Sequence, residues 1–304
     1  MIIAVFYYTQ TGQALEIVQK VCEPLVAAGL QVVYREIIPE VPFPFPWSSS
    51  SFFQAFPESR LAVPCRLKAF DLSDIQDADL VIVAGQSWYL SHSIPLHGFF
   101  QSEEIRSYLK GRKIVTVDGC RNMWVMKQLK TREYIHAIGA EYVGSVVLQD
   151  MAPNLVSVIT IIRWLFKNRK EATRLLPPAG VAPADIQRAT CFGDILLDTL
   201  REGTFDTLQE RFMEKNALTF LPKIYFIEKN GSTIWGKWAQ FILKKGPYLS
   251  PKREPYLRLF KYFLFFVLYV VSPFGSLFFY LIYPFRKASL RKAQHEMCYE
   301  LGMD

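Results

Sequence analysis

The sequence predicts an α/β fold built on a doubly wound, five-stranded parallel sheet with the strand order 2-1-3-4-5. The first observation is a set of five candidate strands at 2–8, 30–37, 80–85, 113–117 and 141–148, of which 2–8 and 80–85 are continuous apolar runs without alternation. Such runs are typical of strands buried on both faces. Helix patterns separate most of the runs, which favours right-handed crossovers between parallel strands. Loops rich in unusual residues follow the first, third and fourth strands, and this strand order brings those loops together where the order reverses.

The first of these loops is a short turn with hydroxyl groups and a glycine. Its residues are Thr9, Gln10, Thr11, Gly12, Gln13 and Ala14, and an amphipathic helix pattern follows. A strand, a turn and a helix N-terminus in succession direct backbone N–H groups to one spot, which favours a bound phosphate. The turn contains neither GxGxxG nor GxxxxGKS/T, which disfavours dinucleotide and nucleoside-triphosphate loops. The alternative is an ordinary strand-to-helix turn.

The turn resembles the phosphate loop of flavodoxins, which reads Ser/Thr-x-Thr-Gly-x-Thr/Asn/Ala. The resemblance implies FMN as the cofactor, with its phosphate held by the hydroxyls and amides of residues 9–14. Ala14 stands where many flavodoxins have threonine or asparagine, so one phosphate contact would be absent.

Two further loops carry side chains suited to a flavin, which needs flat aromatic surfaces and polar groups at its pyrimidine edge. The predicted contacts are Gln86, Ser87, Trp88 and Tyr89 after the third strand, and Gly119, Cys120, Arg121, Asn122 and Trp124 after the fourth. A positive charge on Arg121 would stabilise the anionic reduced flavin. The alternative for Trp88 and Trp124 is plain core packing.

His92 is the best-placed histidine to remove a proton from a substrate stacked on the flavin. Tyr89 is a second candidate for this base, and a solvated loop position is the alternative for His92. Cys120 adjoins Arg121, which could lower the pKa of the thiol, but no Cys/His pair favours covalent catalysis. The five cysteines lie far apart without a CxxC pair, so the sequence predicts no metal site and suits a reducing cytosol.

Two insertions interrupt the predicted sheet domain. At about 39–70, prolines and aromatic residues predict an extended loop that packs on the domain or covers a lipophilic substrate. At about 150–182, the apolar run 156–166 predicts a buried helix, with a membrane-facing helix as the alternative. Elsewhere we expect helices over 96–109, 125–138, 183–203 and 233–245, and an extra strand over 221–227 that ends at an Asn230-Gly231 turn.

The C-terminal region is both basic and apolar. Between Lys244 and Lys292 there are ten basic side chains and one acidic side chain, although the whole chain of 304 residues has a net charge of only +7. The stretch 262–285 contains no charge and is long enough to span a bilayer, but it is interrupted by Ser-Pro-Phe-Gly at 272–275. Basic residues at both ends favour one side of the membrane. We therefore expect a re-entrant hairpin or a monotopic anchor on anionic lipid rather than nucleic-acid binding, with a kinked span and a buried core helix as alternatives.

The expected organisation has three parts. Residues 1–205 form the FMN-binding domain with its two insertions, 206–256 form an extra subdomain or amphipathic connector, and 257–304 form the membrane-associating hairpin with a basic tail. The first residues are predicted to form a strand rather than a signal peptide. Together these expectations place the protein on the cytoplasmic face of the inner membrane, peripheral or monotopic.

Longer segments resemble a particular family, the flavodoxin-like protein of dialkylresorcinol and flexirubin biosynthesis, described as a condensing enzyme or an aromatase. The similar segments are YYTQTGQALEIV, VPFPFPWSSSSFFQAFPES, QSWYLSHSIP with FFQSEE, VDGCRNMWVM, APNLVSVITIIRWL, and FILKKGP through VSPFGSLFFYLIYPFR. The resemblance implies a cyclohexane-1,3-dione substrate with two alkyl arms, supplied by a ketosynthase and its acyl carrier protein. It implies a 2,5-dialkylresorcinol as the product.

These observations lead to three hypotheses. The first is an FMN-dependent aromatase in which His92 or Tyr89 removes a proton next to a carbonyl and Arg121 or Asn122 stabilises the enolate. The second is an FMN-dependent NAD(P)H:quinone reductase or a flavodoxin-like electron carrier. The third is a non-enzymatic scaffold for a ketosynthase and carrier protein. A condensing activity is disfavoured because it needs an acyl-accepting cysteine with positioned histidines.

Overall fold

A computed structural model describes residues 1–302 and contains the predicted doubly wound sheet. Its strands are β1 Ile2–Tyr7, β2 Gln31–Glu36, β3 Leu80–Trp88, β4 Ser91–His92, β5 Lys113–Cys120 and β6 Glu141–Gln149. Five of them pair in parallel in the order β2-β1-β3-β5-β6. This is the predicted order 2-1-3-4-5 once the short β4, which pairs antiparallel with β3, is set aside. The order reverses between β1 and β3, so a ligand belongs outside the carboxyl ends of these two strands.

Helices cover both faces of the sheet. They are α1 Gln13–Ala27, α2 Ser49–Gln54, α3 Phe56–Arg60, α4 Ile94–Gln101, α5 Glu103–Leu109, α6 Val125–Ile138, α7 Asn154–Lys167, α8 Pro183–Arg188, α9 Thr190–Glu202, α10 Leu208–Glu214, α11 Pro222–Leu243, α12 Glu254–Phe266 and α13 Ser272–Tyr299. One core lies between the sheet and α1, α8, α9 and α10. The other lies between the sheet and α4, α5 and α6. The predicted helix over 125–138 is confirmed.

Three local predictions differ from the structure. The helix expected over 96–109 is divided into α4 and α5 at Ser102, whose backbone is extended. The helix expected over 183–203 is divided into α8 and α9. The strand expected over 221–227 is wrong, because α11 runs without a break through Asn230 and Gly231. Its apolar residues recur at helical spacing, and Ile224 packs against Leu90 and Met123, which outweighs the local turn signal.

The prediction of a C-terminal hairpin is also wrong. A 3-10 turn at Pro251–Arg253, α12, a π turn at Val267–Val271 and α13 form one helical run, which we call the C-terminal run, Pro251–Tyr299. Val267, Val271 and Ser272 all keep helical backbone angles. The π turn ends two residues before Pro273, and this wider turn accommodates the proline, which lacks an N–H, within the continuous helical run.

One side of the C-terminal run packs on the domain. Leu257, Phe260 and Leu264 are buried against α2, α3 and the end of α11, and Phe279 contacts Phe226 near the start of α11. The guanidinium of Arg253 is fully buried and donates two hydrogen bonds to the carboxylate of Glu58, at 2.7 and 2.9 Å. Because removal of one partner of a buried pair costs about 3–5 kcal/mol, this pair fixes the start of the run to α3.

Candidate functional site

The turn after β1 has the geometry of an anion site. Gly12 has φ +86°, which positions the backbone so that α1 begins at Gln13. Thr11, Gln13 and Ala14 line a cavity at the carboxyl ends of β1 and β3, which we call the polar cavity. The hydroxyl of Thr9 is buried beside this turn, and no hydrogen-bond partner for it occurs within residues 1–302. A buried unpaired hydroxyl next to free helix N–H groups fits a phosphate.

Gln10 and Gln13 hold the two insertions over the turn. The side-chain amide of Gln10 donates to the carbonyl oxygens of Phe43 and Pro44, at 3.2 and 2.9 Å. The side chain of Gln13 donates to the carbonyl of Val181 and accepts from its N–H, at 3.2 and 3.0 Å. These side chains therefore position covering segments, and the backbone of residues 11–14 remains available to bind an anion.

The carboxyl ends of β3 and β5 reach the same cavity, as expected from the strand order. Gln86, Ser87 and Trp88 line it from the end of β3, and Gly119, Cys120 and Arg121 line it from the end of β5 and the residue that follows. The hydroxyl of Ser87 is buried and, like that of Thr9, has no partner among the residues the structure describes. The ring of Trp88 packs edge-on against Tyr8, Phe43 and Trp47, so the aromatic insertion holds it in place.

Sequence reasoning missed the wall that the second insertion supplies. Asp150, Ile161, Trp164, Leu165 and Gly180 all line the polar cavity. Asp150 is 3% exposed, its Oδ1 accepts from the N–H of Ala152 at 2.9 Å, and burial raises the pKa of its carboxyl group. Its Oδ2 has no hydrogen-bond partner in the described part of the chain. The only sequence signal is that Asp150 lies two residues after the fifth predicted strand.

Arg121 is the link between the two sides of the cavity. Its Nη1 donates to the carbonyl oxygen and side-chain Oδ1 of Asn154, at 3.0 and 2.6 Å, and to the hydroxyl of Ser157 at 3.1 Å. Burial lowers the pKa of the guanidinium, which nevertheless stays protonated. Asn122 donates to the same Asn154 oxygen at 3.1 Å and lines neither the polar cavity nor the apolar cavity described below. Asn122 therefore supports the position of Arg121 and α7.

A strained two-residue turn connects β3 and β4. Tyr89 and Leu90 both have positive φ, +48° and +62°, although neither is a glycine. The hydroxyl of Ser59 donates to the carbonyls of Trp88 and His92, at 2.9 and 2.8 Å, and so holds the base of this hairpin. The turn directs Trp88 into the polar cavity and Tyr89 away from it. Strain held by surrounding contacts in this way is common at functional sites.

The position of His92 in the structure does not fit its predicted role as the catalytic base. His92 is 1% exposed, lines neither cavity, and its Nε2 pairs with the hydroxyl of Thr131 at 3.0 Å. Its ring lies among His97, Phe100 and Tyr134, and burial holds its pKa well below the usual range. His92 is thus a neutral core histidine. Its direction is set by β4, which the sequence pattern did not reveal.

Three other predicted roles need correction. Tyr89 donates its hydroxyl to the carbonyl of Phe52 at 2.6 Å, and burial raises its pKa well above the ordinary value, which excludes it as a base near neutral pH. Trp124 is 2% exposed, packs in the core with Val147, and donates from Nε1 to the carbonyl of Thr219, so it does not reach the cavity. Burial raises the pKa of the Cys120 thiol, so the neighbouring Arg121 does not activate it.

A second cavity adjoins the first, and we call it the apolar cavity. Its walls are mostly hydrocarbon: Phe52, Phe53, Leu90, Met123, Val158, Ile161, Ile162, Phe166, Trp235, Leu264, Phe265 and Leu268, together with the ring of Tyr89. Ser87, Arg121 and Ile161 line both cavities. The site therefore combines a phosphate-type turn, a charged guanidinium at the junction, and an apolar chamber.

Comparisons with known proteins found structural neighbours at low sequence identity. No protein-family profile matches the sequence, and no curated protein matches it. A flavodoxin from the domain Archaea is 10% identical, with a TM-score of 0.39, and the match covers 66% of this chain and 99% of that one. A Lactobacillus acidophilus flavoprotein in complex with FMN is 11% identical, with a TM-score of 0.39, covering 48% of this chain and 91% of that one. At such values the fold assignment rests on strand order and connections, which define a flavodoxin-like α/β fold.

Proposed function

We propose that the protein binds FMN and oxidises a dialkyl cyclohexane-1,3-dione to a dialkylresorcinol at the cytoplasmic face of the inner membrane. The observation that carries this proposal is the junction of the polar and apolar cavities at Ser87, Arg121 and Ile161. A redox cofactor and a lipophilic substrate must touch for electrons to pass between them, and this junction is where they would meet. An electron carrier would not need an apolar chamber beside its cofactor.

The buried hydroxyls of Thr9 and Ser87 and the N–H groups at the start of α1 would hold the FMN phosphate and the nearby polar edge. When bound, FMN would supply the two-electron oxidant for the loss of a hydride and a proton from neighbouring ring carbons of the dione. Loss of these two hydrogens and enolisation convert the dione ring into a resorcinol.

Arg121 and Asp150 take the roles that involve charge. The guanidinium of Arg121 is fixed by Asn154 and Ser157, so it can stabilise negative charge on a dione oxygen without reorganising. Asp150 has a free Oδ2 at the cavity wall and a raised pKa, which suits a proton acceptor. We propose Asp150 as this base in place of His92.

The C-terminal run is the proposed membrane anchor. It is the one helix within residues 1–302 that is long and apolar enough to cross a bilayer, and only 11% of its most apolar window is buried. Because Phe260, Leu264 and Phe279 pack on the domain, we propose that the run lies in the interface with its other side in lipid. Its basic flanks would contact anionic headgroups. A ketosynthase with its acyl carrier protein would supply the dione.

Anaerobic flavin bleaching tests this function. The Arg121→Gln variant should reduce the bleaching rate with a dialkyl cyclohexane-1,3-dione by about 100-fold, the usual effect of removing one oxyanion donor. Arg163→Gln is the matched control, because Arg163 lies on α7 but donates to the carbonyl of Glu171 away from the cavities. Equal rates for the two variants would remove Arg121 from the mechanism, and no bleaching by the unmodified protein would refute the proposed reaction.

A further inference from the structure

The apolar cavity is closed on one side by the C-terminal run itself. Leu264, Phe265 and Leu268 form this wall. The facing wall comes from Val158, Ile161, Ile162 and Phe166 of α7. The chamber beside the proposed flavin site is therefore bounded by the same helix that carries the longest exposed apolar surface of the described chain.

The cavity wall continues into that exposed surface. Phe265, in the wall, stacks on Tyr269, with ring centroids 6.3 Å apart and planes 18° apart. Tyr269 is 38% exposed and stands beside strongly exposed residues of the same run. Those residues are Tyr262, Phe266, Val270, Phe274, Leu277, Phe278, Tyr280, Leu281 and Phe285. On α7, Ile162 and Phe166 are only partly buried, so both walls reach the surface.

Among the described residues that line the chamber, the one charged group lies at its inner end. The guanidinium of Arg121 and the hydroxyl of Ser87 stand where the chamber meets the polar cavity. The hydroxyl of Tyr89 is already paired with the carbonyl of Phe52. A molecule in this chamber is thus oriented by one charged donor at its inner end and by hydrocarbon elsewhere, which matches an amphiphile with a compact oxygenated head and an alkyl chain.

We propose that such an amphiphile enters sideways from the bilayer, between α7 and the C-terminal run, and places its oxygenated head against Arg121 while its alkyl chain extends back along Leu268 and Ile162. This route rests on the proposed function and specifies how that site receives its substrate. An alkyl chain moving from lipid into this chamber stays in hydrocarbon throughout, whereas access through water would cost about 0.8 kcal/mol for each exposed CH₂ group.

Photolabelling on vesicles tests the route without using the flavin. The full-length protein is bound to phosphatidylglycerol vesicles that contain palmitate with a diazirine in mid-chain, and labelled peptides are mapped by mass. We expect label on 158–166 and on 264–268, in addition to the exposed stretch 274–285. Leu268→Trp should fill the gap and remove the label on 158–166, while the label on 274–285 remains.

Leu259→Trp is the matched control, because Leu259 lies on the same run but is 55% exposed and away from the chamber. It should keep the label on 158–166. If Leu268→Trp does not fold, Ile162→Trp from the opposite wall makes the same test. Label confined to 274–285, or equal labelling of 158–166 in the filling and control variants, would overturn the route.

The two proposals fail separately. The first outcome is that 158–166 is labelled in the unmodified protein, that this label is lost in Leu268→Trp, and that the protein does not react with a dione. This outcome would refute the oxidation and retain the route. Dione oxidation at equal rates in vesicle-bound Leu268→Trp and Leu259→Trp would refute the route and retain the oxidation.

Discussion

Single substitutions of Gly12 and Gly29 form a matched test and control for the proposed phosphate site. Both have positive φ, +86° and +80°, and a Cβ at either position would meet no atom within 4 Å. An alanine at either glycine should therefore lower the free energy of unfolding by about 1–2 kcal/mol through backbone strain alone. Only Gly12→Ala should also weaken FMN binding, because only Gly12 orients the N–H groups at the start of α1. FMN titration and urea unfolding of both variants check this, and equal FMN affinity would contradict the phosphate assignment.

Asp150 gives a pH-dependent prediction. A base must be deprotonated to act, and burial raises the pKa of this carboxyl above its ordinary 3.8. The bleaching rate should therefore fall as the pH decreases through that raised pKa, with a midpoint above 3.8. Asp150→Asn should slow the reaction and remove this acidic limb, whereas Asp185→Asn, in the first turn of α8, should retain it. If the pH profile of Asp150→Asn is unchanged, the acidic limb arises from the titration of another group.

The strand ends that meet at the polar cavity were predictable from the sequence, but side-chain directions were not. The turn 9–14 and the loops after β3 and β5 could be located because the carboxyl ends of parallel strands converge at the switch point. The roles predicted for His92 and Trp124 were wrong because a two-residue strand and a packed loop direct these side chains into the core. Neither feature produces a periodic pattern in the sequence. Asp150 was missed because a single acidic residue after a strand carries no signal by itself.

At the scale of elements, α11 and α6 are coupled through one carboxylate. Glu228 of α11 is 1% exposed, and its Oε1 accepts from the N–H of Met126 at 2.8 Å, in the first turn of α6. Burial is the main cause that raises its pKa from 4.5 to about 7. Helix α11 also packs along the C-terminal run, so this contact helps to hold that run against the sheet domain.

The raised pKa of Glu228 predicts a pH dependence of stability. Between pH 4.5 and 7 the folded protein binds this proton and the unfolded chain does not, so the free energy of unfolding falls as the pH rises, by about 3 kcal/mol. Glu228→Gln cannot titrate and should flatten this slope. Glu210→Gln, an exposed position on α10, should leave the slope unchanged. Urea unfolding of the unmodified protein and both variants across this pH range measures the slope. Parallel slopes in all three proteins would contradict the assignment of this pH dependence to Glu228.

The periodicity of apolar residues predicted the helices and strands of the sheet domain. It failed at positions where tertiary packing outweighs the local sequence signal. The helix at 125–138 and the five parallel strands follow from apolar patterns and glycine stops. Asn230 and Gly231 signal a turn, but α11 passes through them because Ile224 and Ala239 are buried on either side. Pro273 signals a break, yet a π turn absorbs it within the C-terminal run.

At the scale of the whole molecule, the surface is divided between a conventional domain and one long apolar face. Phe274, Phe278 and Leu281 of the C-terminal run are 70%, 53% and 67% exposed. Faces of this kind are buried against lipid or protein in the working state. Because the run also packs on the domain, its deletion would expose core residues, so substitutions on the exposed face are the cleaner test.

The triple variant Phe274→Glu, Phe278→Glu and Leu281→Glu should abolish sedimentation with phosphatidylglycerol vesicles, because each carboxylate would have to leave water. The matched triple Val41→Glu, Met151→Glu and Leu175→Glu places the same charges on residues that are 71%, 60% and 89% exposed elsewhere. It should remain bound. Equal release of the two variants would show that net charge, rather than this face, governs the interaction.

The visible absorption spectrum of the FMN-reconstituted protein, recorded without oxygen before and after addition of a dialkyl cyclohexane-1,3-dione, shows whether the protein is an FMN-dependent dione oxidase. We expect a yellow protein whose flavin bands bleach on addition of the dione, with one resorcinol formed for each flavin reduced. A protein that remains colourless after incubation with FMN, or whose flavin spectrum is unchanged by the dione, would contradict it.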